Sequence, residues 1–208
     1  MTALSFGLLC FSSLFTVIDP LAAAPIFVSL THGRSREAIR AIALRACAVA
    51  LIVLVVFAVS GAVVFRVFGI TLDAFRIGGG LVFLTIGLPM MMGAKRPPDP
   101  KDEAPSDPSV VPLGVPLLAG PGAITTVMVL MGQSRGAAHA AALVGALVLA
   151  LAATFASLVV APMILRRLGP SGLALVTKVM GLIVVVLGVQ LVLDGIRPVV
   201  IGILAAAH

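Results

Sequence analysis

The chain contains neither tryptophan nor tyrosine, and charged residues make up only 11% of its 208 residues. Soluble domains are roughly one quarter charged, so this composition excludes an ordinary water-exposed surface. Hydrophobic residues account for 61% of the chain. The missing Trp and Tyr also remove the aromatic residues that usually mark membrane interfaces, and ten phenylalanines supply only the apolar part of that role. The composition predicts that lipid is the solvent.

Cysteine and histidine are scarce, and their positions indicate no catalytic or metal chemistry. Cys10 and Cys47 lie in apolar sequence without a CxxC motif, which is typical of small buried hydrophobic residues. His32, His139 and His208 show no metal-ligand spacing. The motifs of serine hydrolases, zinc proteases and P-loop proteins are missing as well. We therefore expect no enzyme activity, no cofactor and no metal.

Long apolar runs divide the chain into six predicted transmembrane helices. Several of these runs approach the ~20 residues that one bilayer crossing requires. The N-terminus before Leu4 has no basic residue, which argues against a cleavable signal peptide. The predicted spans are 4–30, 46–65, 75–93, 113–131, 140–164 and 174–194.

The basic residues lie between these runs and predict the orientation. The net charge is +6, but no basic stripe with interleaved aromatics is present, so we expect no nucleic-acid partner. Ten of the fourteen Lys and Arg lie in or beside the links 31–45, 94–112 and 165–173. The positive-inside rule places these links in the cytoplasm and both termini on the periplasmic side.

Residues 94–112 are the only stretch with a soluble composition, because they contain six prolines and seven charged residues. Such a segment cannot bury enough apolar area to fold, so we predict a flexible cytoplasmic linker. This linker separates two three-helix units, residues 1–93 and 113–208.

The two units resemble each other at one fixed offset of 101 residues, without gaps. Matches in Pro, Gly and Arg are informative, because chance matches in so apolar a chain are mainly aliphatic. Three helices per unit is an odd number, so the second unit must enter the membrane from the opposite side. The sequence therefore predicts an all-α membrane protein with a 3+3 inverted-topology repeat. The informative pairs are Pro20/Pro121, Ala22/Ala123, Arg34/Arg135, Arg66/Arg167, Gly80/Gly181, Gly87/Gly188, Arg96/Arg197 and Pro97/Pro198.

The first and fourth spans carry prolines well inside the apolar run, and we predict that both helices are broken. Asp19 followed by Pro20 is a favoured N-cap followed by a favoured first helical residue. Gly120 followed by Pro121 is a weaker form of the same start signal. Each break would place a half-helix N-terminus at the membrane midplane, where free N–H groups and the helix dipole favour an anion. The alternative is that these prolines only kink the helices for packing.

A substrate site at these breaks would use a small set of residues. Asp19 is the one carboxylate at depth, and it either only caps its half-helix or also meets a substrate ammonium or a proton. The hydroxyls of Thr125 and Thr126 either bind a ligand or bond to their own helix. The candidate substrate-binding residues are Asp19, Pro20, Ala22, Pro25, Gly120, Pro121, Gly122, Thr125 and Thr126.

Two segments that contain the breaks resemble motifs of the MarC family of bacterial inner-membrane proteins. They are DPLAAAPIFVSLT at 19–31 and PLLAGPGAITT at 116–126, and FRIGGG at 75–80 and KVMGLI at 178–183 add to the resemblance. The resemblance implies six spans in the inner membrane, and some relatives are described as transporters of small neutral amino acids. The family motif usually has Gly where this chain has Ala22.

Together, these patterns predict a secondary transporter of a small zwitterion, most consistent with a neutral amino acid. The substrate carboxylate would meet N–H groups at Pro20–Ala22 and Gly122–Ile124, and its ammonium would meet Asp19 or free carbonyls. A passive pore and a structural membrane protein without transport remain as alternatives. Coupling to a proton or sodium, and assembly into a homo-oligomer, are left open by the sequence.

Overall fold

The computed structural model describes residues 2–31, 33–93, 109–166 and 169–206, and all regular structure in these ranges is helical. Seven α-helices and one π-helical segment follow one another along the chain. They are α1 (Ala3–Ile18), α2 (Pro20–Leu30), α3 (Arg36–Phe68), α4 (Leu72–Met92), the π segment (Ser109–Leu118), α5 (Pro121–Gly132), α6 (Ala137–Arg166) and α7 (Gly169–Ala206).

Four of these helices, α3, α4, α6 and α7, are long and apolar enough to cross a membrane. A fifth candidate span is the pair α1 and α2, which is bent by 40° at the break between them. The fourth predicted span, 113–131, is divided between the π segment and α5. With 12 residues, α5 is only about 18 Å long and cannot cross a ~30 Å hydrocarbon core alone. The described structure therefore contains four or five candidate spans.

The long helices extend beyond the spans predicted for them. The span 46–65 is part of α3, which has 33 residues and is about 50 Å long. The span 174–194 is part of α7, which has 38 residues. The added part of α3 is its charged beginning, which hydropathy does not detect, whereas the part of α7 beyond residue 194 is mainly apolar.

The predicted linker 94–112 lies outside the described residues as far as position 108. Residues 109–112 already belong to the π segment, which begins at Ser109.

Helix boundaries recur at the offset that relates the two halves of the sequence. The starts of α2 and α5, at Pro20 and Pro121, are 101 residues apart, and so are the starts of α3 and α6, at Arg36 and Ala137. The two breaks, at Asp19 and Gly120, share this separation. Two helix starts and the two breaks therefore recur at the same offset, although the backbone is left-handed at Asp19 and extended at Gly120.

Helices α4 and α7 form the most extensive helix pair of the described structure, and glycines bring their backbones together. A Cβ placed on Gly80 would lie 2.5 Å from the carbonyl oxygen of Gly188. A Cβ placed on Gly87 would lie 2.9 Å from the carbonyl oxygen of Gly181. The later residue of α4 thus contacts the earlier residue of α7, so the two helices are antiparallel. Small residues permit this close approach in membrane helices.

The remaining elements surround a buried apolar core that contains the breaks. Helix α1 packs on α6, the π segment packs on α3, and α2 and α5 pack on α6 and α3 respectively. Fully buried side chains of this core include Leu14, Phe27, Leu54 and Leu147. Irregular backbone at membrane depth is tolerated when it is buried in protein, and this core provides that environment for both breaks.

Candidate functional site

Asp19 forms the first break, since it is both the C-cap of α1 and the N-cap of α2. Its backbone is left-handed, with φ 46° and ψ 72°, and its N–H donates to the Phe15 carbonyl at 3.1 Å. Its carboxylate accepts a hydrogen bond from the Ala22 N–H at 3.2 Å. Pro20 then begins α2, as predicted. Asp tolerates the left-handed region better than most residues, so one side chain fits both the dihedral angles and the cap.

Pro25 lies inside α2 and is buried. A proline has no N–H, so it cannot donate the helical hydrogen bond to the carbonyl four residues earlier, which is that of Leu21. Leu21 is in the first turn of α2, close in sequence to the Asp19 carboxylate. The first break therefore presents acceptors from a side chain and from the backbone.

Gly120 forms the second break, and it supplies no side-chain cap to α5. The π segment ends just before it, with the Ala119 N–H donating to the Gly114 carbonyl at 2.9 Å. A Cβ on Gly120 would lie 2.7 Å from the Pro116 carbonyl oxygen, which explains the glycine there. Pro121 begins α5, so the predicted start of this half-helix is confirmed.

Tertiary contacts bring the two breaks into one region. A Cβ on Gly122 would lie 3.0 Å from Cγ1 of Val17, which is two residues before Asp19. The ring of Phe83 on α4 lies beside the second break, 3.6 Å from the position of a Cβ on Gly120. Gly79, also on α4, lies directly against the Pro121 ring. Residues of α1 and α4 therefore contact the second break, and the α1 residue, Val17, lies two positions before the first break.

Some of the backbone N–H groups at the starts of α2 and α5 already have acceptors and are not free to bind a ligand. The Ala22 N–H is already bonded to Asp19, and the Ile124 N–H donates to the Gly120 carbonyl at 2.9 Å. The first N–H groups of an α-helix have no acceptor within the helix. At α5 these belong to Gly122 and Ala123, and Gly120 offers them no cap. The start of α5 therefore leaves N–H groups without a helical acceptor or a side-chain cap, whereas the start of α2 is capped by its own carboxylate.

The threonine hydroxyls bond to their own helix. Thr125 Oγ1 donates to the Gly122 carbonyl at 2.9 Å, and Thr126 Oγ1 donates to the same oxygen at 2.8 Å. Of the two alternatives that the sequence leaves open, the structure shows helix bonding. Both hydroxyl oxygens retain lone pairs, so each can still accept a hydrogen bond.

The nine predicted residues differ in burial. Asp19, Ala22, Gly122 and Thr126 are partly accessible. The other five are buried and shape the two breaks: Pro20, Pro25, Gly120, Pro121 and Thr125.

Sequence reasoning did not identify Val17 or Phe83 as neighbours of the site. Each is an apolar residue in an apolar span, and nothing in its local sequence distinguishes it from lipid-facing residues. Gly79 belongs to the run 78–80, which indicates close packing without indicating the partner. In the described parts of the chain, no group of three or more His, Cys, Asp or Glu is placed to hold a metal ion.

Comparisons with known proteins agree with this architecture. Residues 4–200 match the model of a family described as "MarC family integral membrane protein". The membrane protein MJ1677 of Methanocaldococcus jannaschii is 35% identical over 185 residues, which cover 86% of this chain and 90% of that protein. YvbG of Bacillus subtilis is 34% identical, with 86% and 88% covered. The inner membrane protein YhgN of Escherichia coli K12 is 34% identical, with 83% and 86% covered.

All three relatives carry the designation UPF0056, and their names state membrane location without a substrate. No solved structure matches the chain. The family match covers most of the sequence, and the helical structure with two broken elements fits an integral membrane protein. The chain belongs to the MarC family of integral membrane proteins.

Proposed function

We propose that this protein is a secondary transporter of small neutral amino acids, with a substrate site between the starts of α2 and α5. The observation that carries the proposal is the contact between Val17 and Gly122, which places the start of α5 against the last turn of α1, just before the start of α2. Paired half-helix ends at the midplane are the substrate-binding device of several transporter folds.

The proposal includes six crossings arranged as a 3+3 inverted repeat. In this arrangement, the π segment and α5 together form the fourth crossing, just as α1 and α2 form the first. The antiparallel packing of α4 on α7 supports it, because these are the third helices of the two halves. Two equivalent helices that run in opposite directions are related by a two-fold axis in the membrane plane, which defines inverted topology.

A zwitterionic substrate fits the charges of the site. Its carboxylate would accept hydrogen bonds from the N–H groups of Gly122 and Ala123 at the positive end of α5. Its ammonium would meet the Asp19 carboxylate and the Leu21 carbonyl at the first break. Because a zwitterion carries no net charge, the occupied site keeps the net charge of the empty site. A proton or sodium ion is the expected driving ion, and Asp19 is the group at the break that could bind it.

The neighbours of the two breaks favour a small and uncharged substrate side chain. Val17 and Phe83 are the side chains in contact with the second break, and both are apolar. A charged substrate side chain would lack a partner there and would lose its hydration. Amino-acid specificity also rests on the resemblance to relatives described as transporters of small neutral amino acids.

Uptake into proteoliposomes tests the proposal. We expect the purified protein to take up labelled alanine, serine or glycine with saturable kinetics, since a binding site saturates. Gly122→Ala should reduce uptake several-fold, because its Cβ would lie 3.0 Å from Val17 and narrow the site. Gly132→Ala is the matched control on the same helix, since nothing lies within 4 Å of that position.

Three outcomes would count against the proposal. Flux that rises linearly with concentration would indicate a passive pore. Absence of flux with a panel of neutral amino acids would indicate a structural membrane protein. Equal loss of uptake in both glycine variants would show that helix substitution, and not the site, causes the defect.

Thiol labelling tests the inverted topology. We expect single cysteines at Ser106 and Ser134, in a Cys10/Cys47-free background, to react from opposite sides of the membrane, with Ser106 cytoplasmic. Three crossings per half and the positive-inside rule require this result. A membrane-impermeant maleimide applied to intact cells and to inverted vesicles measures it. Labelling of both positions from one side would contradict the six-crossing arrangement.

A further inference from the structure

A cavity of about 210 Å³ lies between the beginning of α3 and the end of α6, away from the two breaks. Its wall combines two cationic and four apolar side chains. Pockets for drug-sized ligands usually measure roughly 300–1,000 Å³, so this one suits a headgroup better than a whole metabolite. The lining residues are Arg36, Ile39, Arg40, Val159, Pro162 and Met163.

The two arginines are one helical turn apart on α3, so they lie on the same face of that helix. Both are exposed, whereas Ile39 beneath them is buried. A guanidinium presents N–H groups in a planar fork that matches phosphate oxygens. Arg36 is also the first residue of α3, where the helix dipole adds positive potential. The cationic half of the cavity therefore suits a phosphate group.

The apolar half of the cavity continues onto a lipid-facing surface. Met163 and its neighbour Ile164 are 56% and 59% exposed. Arg36 and Arg40 precede the apolar span 46–65 by six to ten residues, or roughly 9–15 Å along the helix. The headgroup layer on each side is about 5–8 Å thick, so Arg40 lies at its outer edge and Arg36 one turn farther out, and their long side chains can reach a lipid phosphate from there. Cations at headgroup depth above an apolar groove are complementary to an anionic lipid.

The corresponding positions in the other half of the repeat carry no charge. Shifting each lining residue by 101 positions replaces both arginines with alanine and leaves only small residues. The cationic cavity is therefore present only once among the two equivalent sets of positions. It lies where α3 begins and α6 ends, which is the side that the basic residues predict to be cytoplasmic. The counterparts are Ala137, Ala140, Ala141, Ala58, Gly61 and Ala62.

We infer that this cavity is a binding site for an anionic phospholipid. The lipid phosphate is held by Arg36 and Arg40, and an acyl chain lies along Val159, Pro162 and Met163. Basic pockets between helices on the cytoplasmic side are a known type of lipid-headgroup site. The site joins an element of the first half of the chain to one of the second. This inference does not depend on transport.

Lipid binding to the purified, full-length protein tests the inference. We expect phosphatidylglycerol to bind and to raise the thermal unfolding temperature in a neutral detergent, and phosphatidylcholine to do neither. Arg40→Gln should weaken phosphatidylglycerol binding about five-fold, since one basic residue near a membrane surface contributes about that factor. Arg36→Gln should act similarly, which gives a second variant if the first does not fold. Native mass spectrometry and the unfolding temperature provide the two measurements.

Arg34→Gln is the matched control, because Arg34 is exposed, lies at the same end of α3 and is outside the cavity. Retention of phosphatidylglycerol binding in Arg34→Gln and its loss in Arg40→Gln would support the site. Equal losses in both variants would overturn it, since diffuse surface charge would then explain binding. Equal protection by inorganic phosphate alone would also overturn it, because the acyl chain would then contribute nothing.

Discussion

Asp19→Asn is expected to leave the protein folded and to reduce amino-acid uptake about ten-fold or more, which is the effect of losing a hydrogen bond to a charged group. Asn caps a helix about as well as Asp and also tolerates the left-handed backbone that Asp19 adopts. The substitution therefore removes the negative charge and little else. Uptake of labelled substrate and thermal unfolding in detergent should be measured on the same preparations.

Two further substitutions at this position separate capping from charge. Asp19→Gly keeps the left-handed backbone and reduces capping by only a few tenths of a kcal/mol, so it should fold and fail to transport. Asp19→Ala loses the cap, at about 0.5–2 kcal/mol, and also loses the local side-chain hydrogen bonding that makes a left-handed backbone tolerable for Asp. It should lose both stability and transport. If the Asp19→Asn variant takes up substrate at the wild-type rate, the Asp19 charge has no role in transport and the residue only caps α2.

Gly80→Ala is expected to destabilise the protein by about 1–3 kcal/mol, the usual range for overpacking. The new Cβ would lie 2.5 Å from the Gly188 carbonyl oxygen, and that backbone cannot move without separating α4 from α7. This cost outweighs the gain of roughly 0.5–1 kcal/mol that alanine gives within a helix. The new Cβ contacts α7, whereas the neighbouring Gly79 contacts Pro121, so the change reports on helix packing.

Gly78→Ala is the matched control for this prediction. Gly78 lies two residues away on the same helix, is exposed, and has nothing within 4 Å of its Cβ position. It should be neutral or slightly stabilising. The absence of Trp and Tyr rules out the usual intrinsic fluorescence, but Cys10 and Cys47 are free and buried, so a thiol-reactive dye detects unfolding. Equal unfolding temperatures for the two variants would contradict the close α4–α7 contact.

The positions of both breaks follow from the sequence, because local chemistry determines them. A helix start is marked by proline at the first helical position, preceded by a capping residue or a small one. These signals do not depend on the rest of the fold. Asp19–Pro20 and Gly120–Pro121 carry these signals, and α2 and α5 begin there. The offset between the halves can also be found in the sequence, because matching Pro and Gly residues are less expected by chance than matching aliphatic residues.

Tertiary features of the site could not be predicted in this way. The contacts of Val17 with Gly122 and of Gly79 with Pro121 join residues far apart in the chain, and apolar residues carry no label for their partners. The left-handed backbone of Asp19 is allowed by its residue type and selected by the surrounding packing. Hydropathy likewise located the lipid-embedded part of α3 but not its first turns, which begin at Arg36.

The contact between α4 and α7 has the geometry of an isologous interface. Gly80 meets Gly188 and Gly87 meets Gly181, and exchanging the two halves converts one contact into the other. The same surface of each half is thus self-complementary, as in a two-fold symmetric dimer. Two copies of a single half could form this interface only by inserting into the membrane in opposite orientations. In the proposed inverted topology, joining the halves in one chain removes the need for identical copies to insert in two orientations, because each half then has its own orientation.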